Sequence, residues 1–335
     1  MMLCQAAVKK DTNKEYARLL KPYWDFCAEN DLDPLEASPR RVLEFIWYIY
    51  SETDSKQGTA AKATTALSHL WVMNGIDWNR KEHPVIGKML KGYAVLRPSD
   101  TRPKRPFTYF HIMGLLSLID RSTYSGWRLW GALDIGYFYG GRCGEYAAKK
   151  RKDWKRIIQR GDLQMIGDPR IKSIIINFKK HKANKFGLYN AKVATNCTCT
   201  TTTDPLCPVH VLLQFLKLRD REFGSEPNTP LLLGLNGMPL SQTQFRNFMK
   251  KAAIHLRLDP KFYSPHSLRS GRCTDLKRAR KPDWAIKIWG RWRSDCWKTH
   301  YLKLDMSEIA KVSNLTYDEL GIQDSHIPNQ REALR

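Results

Sequence analysis

Residues 97–106, RPSDTRPKRP, cut the chain in two. Three prolines in ten positions exclude a helix interior and a central strand, because proline lacks the amide proton and fixes φ. The stretch holds no apolar residue and four basic ones. It buries nothing by itself and reads as a basic linker. The segments on its two sides must each build a core. A chain of 335 residues is long enough for about two domains. The expected division is a domain over 1–96, the linker over 97–106, a second domain over 107–305 and a tail over 306–335.

The first side reads as helices. NKEYARLLKPYWDFCAEN (13–30) sets Tyr16, Leu19, Leu20, Tyr23, Phe26 and Cys27 on one stripe of helical period. In SPRRVLEFIWYIYSE (38–52), Ser38 is a natural N-cap and Pro39 suits the first helical position. Segments 56–75 and 83–97 complete a four-helix unit with no competing strand pattern. The second side is mixed. Segments 108–120 and 127–141 have helical patterning. Residues 170–194 carry β-branched runs on either side of a basic turn with Asn and Gly, the pattern of a hairpin. Helices resume at 208–222 and continue. The fold class expected is mainly α with a small β-sheet, an N-terminal helical domain followed by an α+β domain.

Charge is divided as unevenly as structure. The net charge is +23, which points to a polyanion, most often nucleic acid. Residues 1–96 hold 13 Lys and Arg against 12 Asp and Glu, and residues 306–335 hold 3 against 5. The remaining 97–305 therefore hold 40 against 16. The excess belongs to the second domain, as expected of an electrostatic footprint. No apolar run is long enough to span a membrane. The first residues lack the apolar core of a secretory signal, so the chain is not expected to be secreted. Eight cysteines in such a chain are expected to be reduced.

Four basic or aromatic clusters lie in the second domain. SPHSLRSGRC (264–273) puts His266 and Arg269 at i and i+3 of a helix starting near Pro265, a pair suited to an oxyanion. Small neighbours, Ser267, Ser270 and Gly271, leave room for close approach. YGGRCGEY (139–146) puts Arg142 after two glycines and Glu145 three residues on. FKKHKANKFG (178–187) offers Lys179, Lys180, Lys182 and Lys185 at the hairpin tip. WGRWRSDCWKTHYLKL (289–304) holds Trp292, His300, Tyr301 and Lys303. Taken singly, each has an ordinary explanation: a helix salt bridge, a solvated turn, a packed tyrosine among 14.

Taken together, the order Arg, hairpin Lys, His-x-x-Arg, Trp, Tyr resembles the tyrosine recombinases, the phage-integrase type of site-specific recombinase. Arg269 to Trp292 is 23 positions and Trp292 to Tyr301 is 9, and both intervals suit that family. GGRCGEY is similar to the family's first arginine box, and the helices of 1–96 are similar to its core-binding domain. The resemblance covers residues 11–305. The family's Gly-His or Gly-Trp step is one residue longer here, Gly290-Arg291-Trp292, so Arg291 and Trp292 both compete for that position. Late features, the GRWRSD segment and a cysteine cluster, lean toward the Crypton-like mobile-element branch.

The resemblance implies a catalytic set of Tyr301, Arg142, Arg269, His266, Lys182, Trp292 and Glu145. It implies an enzyme that cuts and rejoins DNA through a 3′-phosphotyrosyl intermediate, with no ATP and no catalytic metal. In this scheme Arg142 and Arg269 bracket the phosphate. Tyr301 attacks phosphorus, His266 is base or hydrogen-bond donor, and Lys182 protonates the leaving oxygen. Trp292 buttresses the phosphate, and Glu145 orients Arg142 or His266. The partner is double-stranded DNA, gripped by a clamp of the two domains, with self-association to a dimer or tetramer. Lys180, Lys185, Arg272, Lys104, Arg105, Lys56 and Lys62 are candidates for DNA contact. The expected place of work is the nucleus in a eukaryote, and the cytoplasm or nucleoid otherwise. KKRKDWKR (149–156) serves equally as a nuclear signal or a phosphate-binding patch. Two other readings compete: a type IB topoisomerase-like enzyme, and a catalytically silent DNA-binding protein.

CTCTTTTDPLCPVH (197–210) contains Cys197, Cys199, Cys207 and His210. Cys-x-Cys with Cys-x-x-His has workable spacing for a structural zinc, and a reduced loop of buried cysteines is the rival reading. The tail MSEIAKVSNLTYDELG (306–321) spaces Ile309, Val312, Leu315 and Leu320 as a helix would. It would dock on its own domain or on a neighbouring protomer.

Overall fold

The computed structural model describes residues 10–98, 103–167, 171–179, 191–197, 199 and 204–303. The expected C-terminal helix and the hairpin lysines Lys180, Lys182 and Lys185 lie outside them. The chain divides into two compact units, residues 1–101 and 102–335.

The first unit is helical: α1 (Lys10–Glu29), α2 (Pro39–Glu52), α3 (Gln57–Met73) and α4 (Pro84–Leu96). The α1 stripe is buried as its period demands, with Leu19, Leu20, Tyr23, Phe26 and Cys27 in the core and Tyr16 packed against it. Ser38 caps α2, its hydroxyl accepting from the Arg41 amide at 3.1 Å, with Pro39 as the first helical residue. Aromatic rings close the core: Tyr23 meets Phe45 edge-on at 5.0 Å and Trp71 meets Trp78 at 4.8 Å. Tyr23 and Trp71 satisfy their buried polar ends on one acceptor, the Pro34 carbonyl, at 3.1 and 2.9 Å. Such rings each contribute about 2–3 kcal/mol on burial, and the shared acceptor fixes how α1 and α3 pack.

The second unit runs α5 (Tyr109–Gly114), α6 (Tyr124–Tyr137), α7 (Cys143–Tyr146), β1 (Leu163–Ile166), β2 (Ser173–Phe178), β3 (Ala191–Asn196), α8 (Pro208–Phe223), α9 (Gln242–His255), α10 (Pro265–Arg278), α11 (Asp283–Trp289) and α12 (Cys296–His300). The sheet is antiparallel in the order β1-β2-β3, with Phe178 opposite Ala191 and Ser173 opposite Asn196. β2 alternates, burying Ile174, Ile176 and Phe178. Helix α5 is shorter than the pattern over 108–120 implied, ending at Gly114 with turns beyond it. β1 escaped the sequence reading because only Leu163 of its four residues is buried, which leaves no alternation to detect.

Helix α10 is central, and Gly271 decides what lies against it. A methyl group there would collide with the Phe107 carbonyl and approach the Thr108 nitrogen at 2.9 Å. The Phe107 amide donates to the Ser267 carbonyl at 2.8 Å. The small residues of SPHSLRSG thus admit the chain's own backbone, where residues 107–108 cross the helix.

Candidate functional site

Helix α10 begins at Pro265, as expected, and holds His266 and Arg269 on one face. The His266 ring lies 4.6 Å from that of Tyr301, and the Arg269 guanidinium carbon 5.4 Å from the same ring. Tyr301 comes directly after α12, its amide donating to the Trp297 carbonyl at 3.0 Å. Trp292 packs on Tyr301 at 4.8 Å, stacks on Trp297 at 6.2 Å and lies 5.0 Å from the Arg269 guanidinium. His266 is exposed, Tyr301 half-buried, and Trp292 and Arg269 buried.

Arg142 precedes α7, and its backbone amide donates to Glu145 Oε2 at 2.7 Å. Its guanidinium donates to Glu145 Oε1 at 3.0 Å. This is a capping arrangement that satisfies a helix start and orients an arginine together. The other partner of Glu145 is Arg291, whose Nη2 donates to Oε2 at 2.8 Å. Arg291 adopts φ +55°, a left-handed conformation that costs a non-glycine residue about 1 kcal/mol or more. That turn drives its side chain inward. The guanidinium lies 3.7 Å from the Phe178 ring of β2 and donates to the Gly140 carbonyl at 2.7 Å. Arg269 donates to the same carbonyl and to that of Gly290, the latter at 2.8 Å.

Three guanidiniums, of Arg142, Arg269 and Arg291, are thereby joined through one carboxylate and one carbonyl beside Tyr301. Burial presses on the Glu145 carboxyl from above, but Arg291 and Arg142 prevail and hold it below the usual carboxylate range. Burial, then Arg142 and Arg291, press the Arg269 guanidinium downward. With Glu145 ionised, the cluster keeps an excess of two positive charges. Arg269 Nε and Trp292 Nε1 are buried and donate to no described residue. Unsatisfied buried donors beside excess positive charge fit an anionic group that accepts from them. A cleft of about 400 Å³ opens alongside, lined by Glu145, Lys155, Arg156, Asn177, Phe178 and Lys179.

The structure therefore brings Arg142, Glu145, His266, Arg269, Trp292 and Tyr301 together. Lys182 lies outside the described residues. Lys179, directly after β2, pairs with Asp162 at 2.5 Å. Arg272 lies over the Tyr137 and Phe138 rings, at 5.4 and 5.1 Å. Exposed Lys104 donates to the Lys261 carbonyl, and Arg105 lies 4.6 Å from the Phe262 ring. Lys56 and Lys62 are exposed on the first unit. Arg291 is the residue the sequence reading left out of the site. Its one signal was its place between Gly290 and Trp292, where it competed with Trp292, and the two do different work: Arg291 holds Glu145, Trp292 holds Tyr301.

Cys197, Cys199, Cys207 and His210 also converge, their ligand atoms all within 4.8 Å of one another. No described helix is long and apolar enough to cross a membrane.

No protein-family model and no curated protein matches the sequence. Solved structures do match the fold. The integrase of transposon Tn1549, solved in complex with circular intermediate DNA, aligns at 15% identity over 92% of this chain and 94% of its own, with a TM-score of 0.54. The site-specific recombinase XerH, bound to a palindromic difH substrate in a post-cleavage complex, aligns at 14% identity over 89% and 78%, with a TM-score of 0.59. Lambda integrase (75–356), solved as a dimer on a core site, aligns at 15% identity over 91% and 95%, with a TM-score of 0.51. The chain has the fold of the tyrosine recombinases.

Proposed function

We propose that the chain is a site-specific DNA recombinase or integrase of the tyrosine recombinase type, working on double-stranded DNA as a dimer or tetramer. The observation that carries this reading is Tyr301 held between His266, Trp292 and Arg269, at the edge of a cluster of three arginines. The shared fold, and the DNA complexes of the proteins that share it, support the same reading. So does the basic excess of residues 97–305.

In this scheme a DNA phosphodiester enters beside Arg142 and Arg269. Arginine donors neutralise the non-bridging oxygens as charge grows on them in the transition state. The Tyr301 Oη–P bond forms as the P–O5′ bond breaks. The phenolic proton passes to His266 or to water, and Lys182 supplies a proton to the leaving oxygen. One phosphoester replaces another, so the bond is stored for rejoining and the step is redox-neutral. Arg269 is fully buried with both Nη groups on backbone carbonyls. Nε and the second hydrogen of each Nη are its remaining donors. Glu145 positions Arg142 and Arg291. The first unit contributes DNA contacts of its own, with Lys56 and Lys62 as candidates.

Covalent trapping tests the reading. The full chain is incubated with nicked duplexes of randomised sequence and resolved on denaturing gels, beside Tyr301→Phe. An adduct in the parent protein that disappears in Tyr301→Phe supports the proposal. An adduct that persists in the variant overturns the assignment of Tyr301. DNA binding without any adduct from the randomised pool overturns the enzyme and leaves a silent binder. Relaxation of a supercoiled plasmid without strand exchange would favour a topoisomerase instead.

A further inference from the structure

The four residues Cys197, Cys199, Cys207 and His210 come from two segments that meet at one end of the sheet. Cys197 stands directly after β3, its amide donating to the Lys172 carbonyl at 2.7 Å. Cys207 caps α8, its carbonyl accepting from the Val211 amide at 2.9 Å. His210 leaves the same first turn of α8, three residues on, so it shares a face with Cys207. Cys207 and His210 are buried, 4% and 8% exposed, and Cys197 and Cys199 are half-buried. The sulfurs of Cys197 and Cys199 stand 3.3 Å apart. His210 offers Nδ1 to the Cys199 sulfur at 3.2 Å and Nε2 to the Cys197 sulfur at 3.7 Å.

These separations discriminate between explanations. A disulfide needs about 2.05 Å between sulfurs, so the thiols converge without bonding. A tetrahedral zinc, with Zn–S near 2.3 Å and Zn–N near 2.0 Å, would hold its sulfurs about 3.8 Å apart and sulfur from nitrogen about 3.5 Å. The two sulfur–nitrogen distances, 3.2 and 3.7 Å, bracket the second value, and the sulfur–sulfur distance of 3.3 Å falls short of the first. An ordinary reduced core places thiols among apolar side chains. Here three thiols and an imidazole bring their ligand atoms within 4.8 Å of one another. Three soft sulfurs and one imidazole select zinc over magnesium, calcium or manganese.

We propose that Cys197, Cys199, Cys207 and His210 bind a structural zinc ion. Four protein ligands close its coordination shell, so it takes no part in phosphoryl transfer. Binding expels the thiol protons and ties the end of β3 to the start of α8. The work of this clip is mechanical. Among the described residues β3 is an edge strand, paired with β2. A tether at Cys197 holds the register of that pair at the end where Ser173 faces Asn196. The inference is independent of the recombinase reading, since a DNA-binding protein without activity would need the same clip.

The test is metal content together with cobalt spectroscopy on the full-length protein. Purified under reducing conditions, the parent chain is expected to carry about one zinc per chain by elemental mass spectrometry. A thiol-blocking mercurial should release that zinc. Replacement with cobalt(II) should give an intense near-ultraviolet thiolate-to-cobalt band and the visible spectrum of a tetrahedral site. Cys199→Ser and His210→Ala should lose the metal, whereas Cys296→Ser, at an exposed cysteine away from the cluster, should keep it. The cobalt titration needs no variant, so misfolding of the substituted chains cannot mask the answer. A parent protein that is folded, free of zinc and spectroscopically silent with cobalt overturns the proposal. So does a Cys197–Cys199 disulfide in protein prepared without reductant, if reducing it restores no metal binding.

Discussion

Arg291 and Glu145 form a buried ion pair, 146 residues apart in sequence and 2.8 Å apart in space, with side chains 4% and 7% exposed. Glu145 serves Arg142 on its other side, so one carboxylate positions two guanidiniums. Arg291 in turn shares the Gly140 carbonyl with Arg269. Arg269, whose guanidinium carbon lies 5.4 Å from the Tyr301 ring, is thus linked to the arginine that opens α7 through a residue whose own backbone is strained.

Removal of Arg291 tests that linkage. Arg291→Ala strands the buried Glu145 carboxylate with one partner, at a cost of about 3–5 kcal/mol. Arg291→Lys is expected to recover only part of this, because one ammonium cannot reproduce a planar fork reaching both Glu145 and Gly140. Arg291→Gly should be more stable than Arg291→Ala by about 1 kcal/mol, the strain of φ +55°. Denaturant unfolding of the three variants checks the order. Equal stability of Arg291→Ala and the parent would show the pair to be ornamental.

Glu145 predicts a dependence on acid. Burial raises its pKa, but Arg291 and Arg142 lower it by more, so the folded value lies below the usual one. Its contribution is then complete above the ordinary carboxylate pKa of about 4.3 and is lost as the pH falls through the lower folded value. Glu145→Gln should be less stable than the parent at pH 7, and the gap should narrow below pH ~4. A gap that does not change between pH 7 and pH 3 contradicts the assignment.

Asp134 on α6 has the opposite sign. It is 4% exposed, its carboxylate accepts from no described residue, and burial pushes its pKa well up, with only partial relief from Arg272. Burial thus favours the neutral form more in the fold than in the unfolded chain. The penalty is absent below the unfolded pKa of about 3.9 and grows as the pH rises toward the folded value. Asp134→Asn is expected to stabilise the protein at pH 7 by about 1–3 kcal/mol and to change little near pH 3. Thermal unfolding at the two pH values decides; destabilisation at pH 7 would mean the carboxylate has a partner that asparagine cannot replace.

Gly271 predicts a local clash with a wide effect. Gly271→Ala forces α10 away from the Phe107 carbonyl, and overpacking of this kind costs about 1–3 kcal/mol. Because His266 and Arg269 ride on the same helix, the proposed DNA cleavage should fall with stability. Gly58→Ala is the contrast: its Cβ would meet nothing within 4 Å, and it should gain about 0.4–1 kcal/mol. Calorimetry of the two variants gives opposite signs if the crossing at Gly271 is real.

Local rules were enough for much of this protein. The 3.6-residue stripe of α1, the Ser38-Pro39 start of α2, the hairpin alternation of β2 and the Pro265 start of α10 are all readable, because caps, fixed φ and side-chain period act within a few residues. The order Arg142, Glu145, His266, Arg269, Trp292, Tyr301 was also readable, though only as an order. What only the tertiary structure decided is who touches whom. Gly271 looked like room for a ligand and admits Phe107 instead. Arg291 competed with Trp292 for one position and holds Glu145. Both outcomes depend on segments more than a hundred residues apart meeting at sub-ångström tolerance. A left-handed residue and a backbone crossing leave no periodic mark on the sequence, because their causes lie in packing elsewhere in the fold.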